Sequence, residues 1–324
     1  MPAQQKILPS ETILEQYGKS LAGKVVLITG VSNDSIAGEL AVQLSTANPS
    51  LLILSARSEA RVEPIVEKIN EKNPRVAIRF LKMDLSDLSD IRRAAKSLDD
   101  VPKIDHIAAV AGVMVPPYSK TVDGVESQFG VNYLANFLLV KLLLPKVEAA
   151  SPTSSIIIVA SSAVRSGKVN FDDINYDEGK TYDALPAYGQ SNAARVMFVK
   201  RLAEKLKGKK IRTYSIDPGA VESGLQRHFN PELLAFIDRL RASGEPLRDL
   251  DGKEFDMPTW TNTSEGAATI ITGMIDPTIE NSNGSFLHNN ALANDELHAH
   301  IRDENNWTKL WELSEELIGE KFVI

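Results

Sequence analysis

Six short apolar runs, alternating with helical stretches, constrain this chain more than any other feature. The first, residues 24–29 (KVVLIT), is a β-branched run that ends at Gly30, the pattern of a parallel strand covered on both faces. Similar runs occupy 51–55, 76–82, 104–110, 155–160 and 211–216. Helical periodicity falls between them at 37–46, at 58–72 with Ser58 as its N-cap, at about 88–98, at 121–149 and at 187–207. This alternation implies βαβ units and a parallel sheet. Right-handed crossovers then give an α/β fold with a doubly wound parallel sheet, the Rossmann type.

No linker interrupts the rhythm, so residues 23–324 read as one domain behind an N-terminal extension, 1–22. Residues 229–260 break the pattern, with Gly244, Pro246, Gly252 and Pro258 around a short helical stretch. An irregular insertion of this length in a compact domain is expected to be a lid or binding loop. A helix at 265–274 capped by Ser264, a last strand at 284–288 and a closing helix at 307–317 complete the chain.

Composition narrows the partners. The formal charge is −7, with 36 basic and 43 acidic residues interspersed, which argues against nucleic acid. With no cysteine there is neither a disulfide nor a thiolate zinc site. The five histidines are scattered, and His298 and His300 at i, i+2 would diverge on a helix, so no metal is expected. Lys6, Glu11, Glu15 and Lys19 break up the N-terminus, which lacks the apolar run of a signal peptide. The most apolar helix candidate, 137–144, is interrupted by Lys141 and stopped by Pro145, too short for a bilayer. A cytosolic protein with no membrane partner is expected, and the glycosylation-like triplets at Asn262, Asn283 and Asn306 read as chance matches.

Chemistry concentrates where strands end. After the first strand comes Thr29-Gly30-Val-Ser32-Asn-Asp34-Ser35-Ile36-Ala37-Gly38, a turn that brings backbone N–H groups and a helix N-terminus toward a pyrophosphate. Asp84-Leu85 follows the third strand, Ala111-Gly112 the fourth and Ser161-Ser162 the fifth. Asn132 lies in the long helix, Tyr188 near a helix start, and Pro218-Gly219-Ala-Val221-Glu-Ser223 follows the sixth strand. This ordered set, with the phrases DGVESQFGVNYLANFLLVKLLLP (123–145), AYGQSNAARVMFVKRLA (187–203) and KLWELSEELIG (309–319), resembles the short-chain dehydrogenase/reductase family. Its retinol-dehydrogenase-like and fungal relatives are the nearest in pattern.

The resemblance implies a nicotinamide cofactor and hydride transfer between a carbonyl and an alcohol. It implies that Ser162 bonds the substrate oxygen, that Tyr188 exchanges a proton with it, and that Asn132 holds a relay water. It implies that Gly30, Ser32, Ser35, Ile36, Asp84, Leu85, Ala111, Gly112, Pro218, Gly219, Val221 and Ser223 lie along the dinucleotide. Arg57, after a second strand that ends without a carboxylate, points to a 2′-phosphate and hence to NADP(H), with NAD(H) as the alternative. The partners implied are a small, apolar substrate, in a setting such as secondary metabolism, and a homodimer formed by outward apolar faces of the helices at 121–149 and 187–207.

Three departures from the family pattern bear on the reaction. Asn192 stands four residues after Tyr188, where the family has a lysine, and a neutral amide cannot lower a phenol pKa of about 10. No other lysine has the spacing, since Lys200 lies two turns beyond. Ser35 and Ala37 replace glycines in a phosphate loop one residue longer than usual, and Asp34 would repel phosphate by about 3 kcal/mol at about 5 Å unless it points to solvent. Ala109-Val110 replaces an asparagine pair. Two readings therefore stand: a ketoreductase or alcohol dehydrogenase, and a repurposed member that performs a non-redox step such as isomerisation, dehydration or cyclisation, or only binds. On the first, Asn192→Lys is expected to raise alcohol oxidation.

Overall fold

The computed structural model describes residues 7–150 and 153–324. The first six residues of the expected N-terminal extension lie outside the described residues. Seven parallel strands form the sheet: β1 (Val25–Thr29), β2 (Leu51–Ala56), β3 (Ala77–Lys82), β4 (His106–Ala109), β5 (Ser154–Val159), β6 (Ile211–Asp217) and β7 (Phe286–His288). An antiparallel β8 (Ala291–Leu292) closes one edge, in the order β8-β7-β6-β5-β4-β1-β2-β3. The order reverses between β1 and β4, which opens a crevice at their carboxyl ends, where ligands bind in such sheets.

Alternation along each strand supplies two cores. In β5, Ile156 and Ile158 face one layer while Ile157 and Val159 face the other. Helices α1 (Ser10–Tyr17), α2 (Ile36–Ser45), α3 (Glu63–Lys72) and α8 (Thr263–Ile275) cover one face. Helices α4 (Leu88–Lys96), α5 (Ala135–Glu148), α6 (Ala184–Lys205) and α10 (Glu304–Ile318) cover the other. The lid segment carries α7 (Pro231–Ser243), and a single turn, α9 (Ala299–Arg302), precedes α10. From residue 7 onward the expected extension packs against the domain. Ile13 and Leu21 are buried, and Ser10 and Glu11 hydrogen-bond Ser264 of α8 at 2.7 and 2.8 Å.

Several boundaries differ from the sequence-based ones for identifiable reasons. The helix expected over 121–149 begins at residue 127, because Gly124 turns with φ +81° and the Glu126 carboxylate caps the N–H groups of Gln128 and Phe129. Its first part, Phe129–Leu134, is a π-turn. Ser58 makes no side-chain cap; a 3₁₀ turn, Glu59–Arg61, follows it, and α3 starts only with Glu63 and Pro64. Asn262, not Ser264, caps α8, through a reciprocal capping box with Glu265.

Two further expectations need correction. By length and composition alone, Phe129–Glu148 could cross a bilayer despite Lys141 and Pro145, but 72% of its apolar window is buried inside the protein. Part of the apolar face assigned to a second subunit is covered within the chain. α10 and the chain beyond it lay Trp311 and Phe322 on Phe137 and Phe198, with Phe137 5.0 Å from Trp311 and 5.4 Å from Phe322 between ring centroids.

One buried side chain ties the sheet to pH. His106 in β4 is 2% exposed and shares a 2.9 Å hydrogen bond with Ser155 of β5. Burial, only partly opposed by Asp105, pulls its pKa down to about 3. Below about pH 6.5 the unfolded chain therefore takes up a proton that the folded ring refuses, and stability falls as pH drops from there toward 3. Urea unfolding across this range should show the wild type losing up to about 1.4 kcal/mol per pH unit more than His106→Asn. Parallel profiles for the two proteins would contradict a neutral, buried ring.

Candidate active site

The groove at the sheet switch is built by a loop that folds onto itself. Gly30 sits at φ +79°, and a Cβ there would lie 2.7 Å from Ala111 Cα, so only glycine lets β1 leave beside the end of β4. Ser35 caps α2 by accepting from Gly38 N–H at 3.0 Å and donates to the Ser32 carbonyl at 2.7 Å. A Cβ on Gly38 would meet that carbonyl at 2.4 Å. The close approach expected of a later loop glycine is thus made at Gly38, and Ala37 is buried in the groove wall. Asp34 is exposed at φ +55° and bonded to its neighbour Asn33, away from the groove lining. The expected phosphate repulsion therefore falls away.

The groove encloses about 730 Å³ and is walled by Gly30, Ser32, Ser35, Ile36 and Ala37, then by Asp84, Leu85, Ala111 and Gly112. Thr29 Oγ1 accepts from the N–H groups of Val110 and Ala111, which fixes the two strand ends against each other. Arg57 stands at one end, joined by Arg61 and by Arg227 from the segment after β6. Burial and the charges of Arg57 and Arg61 lower the Arg227 pKa, and none of the three has an ion-pair partner among the described residues. Such a cluster is a site for a multiply charged anion.

Beyond Gly112 and Ser223, which border both spaces, a second cavity of about 610 Å³ opens, and Tyr188 lines it. Tyr188 is 7% exposed on α6, which Asp183 caps. Burial raises its phenol pKa; the charge of Arg195 and the side chains of Ser161 and Asn192 lower it, and Asp217 raises it. Ser161 and Ser162 both line the cavity, and of the two it is the Ser161 side chain that lowers the phenol pKa, whereas the resemblance assigned Ser162 to the substrate oxygen. Asn132, in the π-turn, spans to Val113 with both side-chain atoms, accepting at 2.8 Å and donating at 2.9 Å, and donates to Ser191 at 2.9 Å. Asn192 is fully buried and donates back to the Tyr188 carbonyl at 2.9 Å.

Residues 24–233 match the short chain dehydrogenase family. The chain belongs to that family. It is 30% identical over 311 residues to mouse retinol dehydrogenase 14, covering 92% of this chain and 86% of the relative. It is 34% identical over 308 residues to human retinol dehydrogenase 12, covering 92% and 87%. In structure it is similar to an uncharacterised protein from Mycobacterium paratuberculosis, with a TM-score of 0.68 and 25% identity over 94% of this chain and 96% of that one. As a member, this dehydrogenase is an oxidoreductase of a family that uses NAD(H) or NADP(H).

The dehydrogenase closes its second cavity with the irregular segment. Pro218, Gly219 and Val221 form the near wall; Leu233, Phe236, Leu240 and Trp260 come from residues 229–260. That segment is more regular than expected, with a 13-residue helix, α7, capped by Asn230, a short ladder Leu247–Arg248 with Glu254–Phe255, and a second, Trp260–Thr261 with Ala220–Val221. Arg165 anchors it. Its carbonyl accepts from Leu250 N–H, its guanidinium lies 4.8 Å from the Phe255 ring, and it pairs with Glu296. Glu296 in turn bonds His288 at 3.1 Å, and His288 stands 3.8 Å from Asp217. Lys200 is remote from this site; it contacts Gly284, Asn294 and the Trp307 ring.

The self-closing loop gives a direct test. Gly38→Ala drives a Cβ against the Ser32 carbonyl, so the loop or α2 must shift. Urea unfolding should show a loss of about 1–3 kcal/mol, and calorimetry should show weaker binding of the nicotinamide dinucleotide. Unchanged stability together with unchanged affinity would contradict the close packing of loop on helix.

Proposed function

We propose that this dehydrogenase uses NADP(H) to interconvert a carbonyl and an alcohol on a largely apolar small molecule. The observation that carries this reading is the continuity, at Gly112 and Ser223, of two unlike spaces: a groove that holds three arginines, and a cavity that holds Tyr188 and is walled by aliphatic and aromatic side chains. The groove fits a dinucleotide by shape and charge. The N-terminus of α2 and the loop N–H groups suit a pyrophosphate, and Arg57, Arg61 and Arg227 suit a 2′-phosphate rather than a bare ribose hydroxyl. The relatives named as retinol dehydrogenases have, by name, an apolar alcohol as substrate.

When bound, the nicotinamide supplies or accepts a hydride at the substrate carbon. The chain's own residues do the rest. In reduction the Tyr188 hydroxyl gives its proton to the substrate oxygen as the carbon gains the hydride, leaving a phenolate that is reprotonated from solvent. Alcohol oxidation runs these steps in reverse and starts from the phenolate, so a phenol raised by burial makes oxidation the more alkaline of the two directions. Ser161 and Ser162, which line the same cavity as Tyr188, hold the substrate oxygen in this reading. Residues 229–260 act as the lid, which excludes water from the apolar cavity once substrate is in place.

Titration with NADPH and NADH by calorimetry tests the cofactor, and a panel of apolar ketones, aldehydes and alcohols tests the reaction. NADPH should bind more tightly than NADH. Arg57→Ala or Arg227→Ala should each weaken NADPH binding by about tenfold or more, the worth of one charge-assisted hydrogen bond, and leave NADH binding little changed. Failure of every nicotinamide dinucleotide to bind at up to about millimolar concentration would overturn the reading.

A further inference from the structure

Arg195 occupies a position that its sequence spacing conceals. It lies seven residues after Tyr188, two turns along α6, and long side chains on a helix lean back toward the N-terminus, which returns its guanidinium to the level of Asn192. There Nη1 donates to Asn192 Oδ1 at 3.3 Å, Nη2 to the Ala111 carbonyl at 2.6 Å, and Nε to the Asn132 carbonyl. The residue is 3% exposed, yet its guanidinium borders the cavity that holds Tyr188. A buried cation without a counterion is costly, and among the described residues Arg195 has no carboxylate partner. The one ionisable group that favours its charge is the Tyr188 phenol.

We propose that Arg195 is the positioning cation of this site, taking over from the residue four positions after Tyr188 the task of stabilising the Tyr188 phenolate. The inference rests on the reading that Tyr188 is the acid–base group. Asn192 then has a role of its own: its amide bridges the Tyr188 carbonyl on one side and the guanidinium on the other, which fixes the fork in place. Gly112 gives the fork room, since a Cβ there would stand 3.3 Å from Nη2 and 3.1 Å from Asn132 Oδ1. Of the five guanidinium N–H donors three are committed to these acceptors, and two have no acceptor among the described residues and are available to a ligand. The carbonyl of Asn132, the residue that the resemblance implies holds a relay water, accepts from Arg195 and from Asn136 Nδ2 at 2.6 Å.

The groups that face Tyr188 are Arg195 and Asn192 from its own helix, Ser161 after β5 and Asp217 at the end of β6. Only Arg195 is cationic, so its removal should free the raising effects of burial and Asp217. Titration of the Tyr188 phenol by NMR, with Tyr188→Phe to assign it, reads this in the free protein from about pH 8 to about pH 12.5. Arg195→Met should move that titration, and the pH profile of alcohol oxidation, to higher pH by about one unit or more. It should also weaken NADPH binding, while Arg195→Lys should keep the titration near its wild-type position. Asn192→Lys should not raise oxidation, contrary to the expectation from sequence, because its ammonium would press on Arg195. The exchanged pair, Asn192→Lys with Arg195→Asn, should recover what Asn192→Lys loses. If Arg195→Met does not fold, the lysine variant and the exchanged pair carry the same test.

A Tyr188 titration that is the same with and without the charge at position 195 overturns the inference, as does a gain in oxidation from Asn192→Lys alone. The phenol titration needs no turnover. A wild type that reduces no carbonyl but whose phenol follows Arg195 would defeat the proposed reaction and leave this inference standing.

Discussion

A parallel sheet covered by helices on both faces has only its strand ends open to solvent, and everything functional in this chain follows from that constraint. The β-branched runs of β1, β4, β5 and β6 are buried almost throughout, so their side chains are spent on the two cores. What they deliver is position: Gly30, Ala111, Ser161 and Pro218 each stand just past a strand end, held in register by the ladder behind them. The reversal of strand order between β1 and β4 parts the flanking helices there, and the groove runs into that gap. The second cavity lies beside it because β5 and β6 end next to one another and α6 passes across their ends with Tyr188 in its second turn.

The parts legible in the sequence are those governed by local pattern. Alternating runs and helical periodicity gave the sheet, and the motif residues after β1, β3, β4, β5 and β6 line the two spaces at the strand ends. The parts that were not legible depend on which partner a polar or apolar side chain takes, and periodicity does not record that. Glu126 ends a turn that periodicity reads as helix, because its carboxylate takes the N–H groups of Gln128 and Phe129. Asn262 outcompetes Ser264 as a cap because Glu265 can close the box from its side. The apolar faces of α5 and α6 carry no mark of whether a second subunit or the chain's own C-terminus covers them, and here α10 with Trp311 and Phe322 does so. Arg195 escaped notice because a search at the spacing of four looks one turn too early for a side chain this long.

An arginine in this role changes more than the address of a charge. An ammonium is a compact donor with a readily shifted pKa, whereas a guanidinium is planar and holds its proton far more firmly. Burial lowers Arg195 to about 10, with Tyr188 pulling it back up, so near neutral pH it remains a fixed cation. It can stabilise a phenolate but cannot pass a proton along. Its Nε also sits on the Asn132 carbonyl, an acceptor that a proton-relay water would otherwise use. On the proposed reaction, the proton that leaves or reaches Tyr188 would then pass by way of the cavity that Ser161 lines. Proton exchange and substrate entry would, on the same reaction, share one route beneath residues 229–260, and a lid formed by that segment would have to open to reset the phenol.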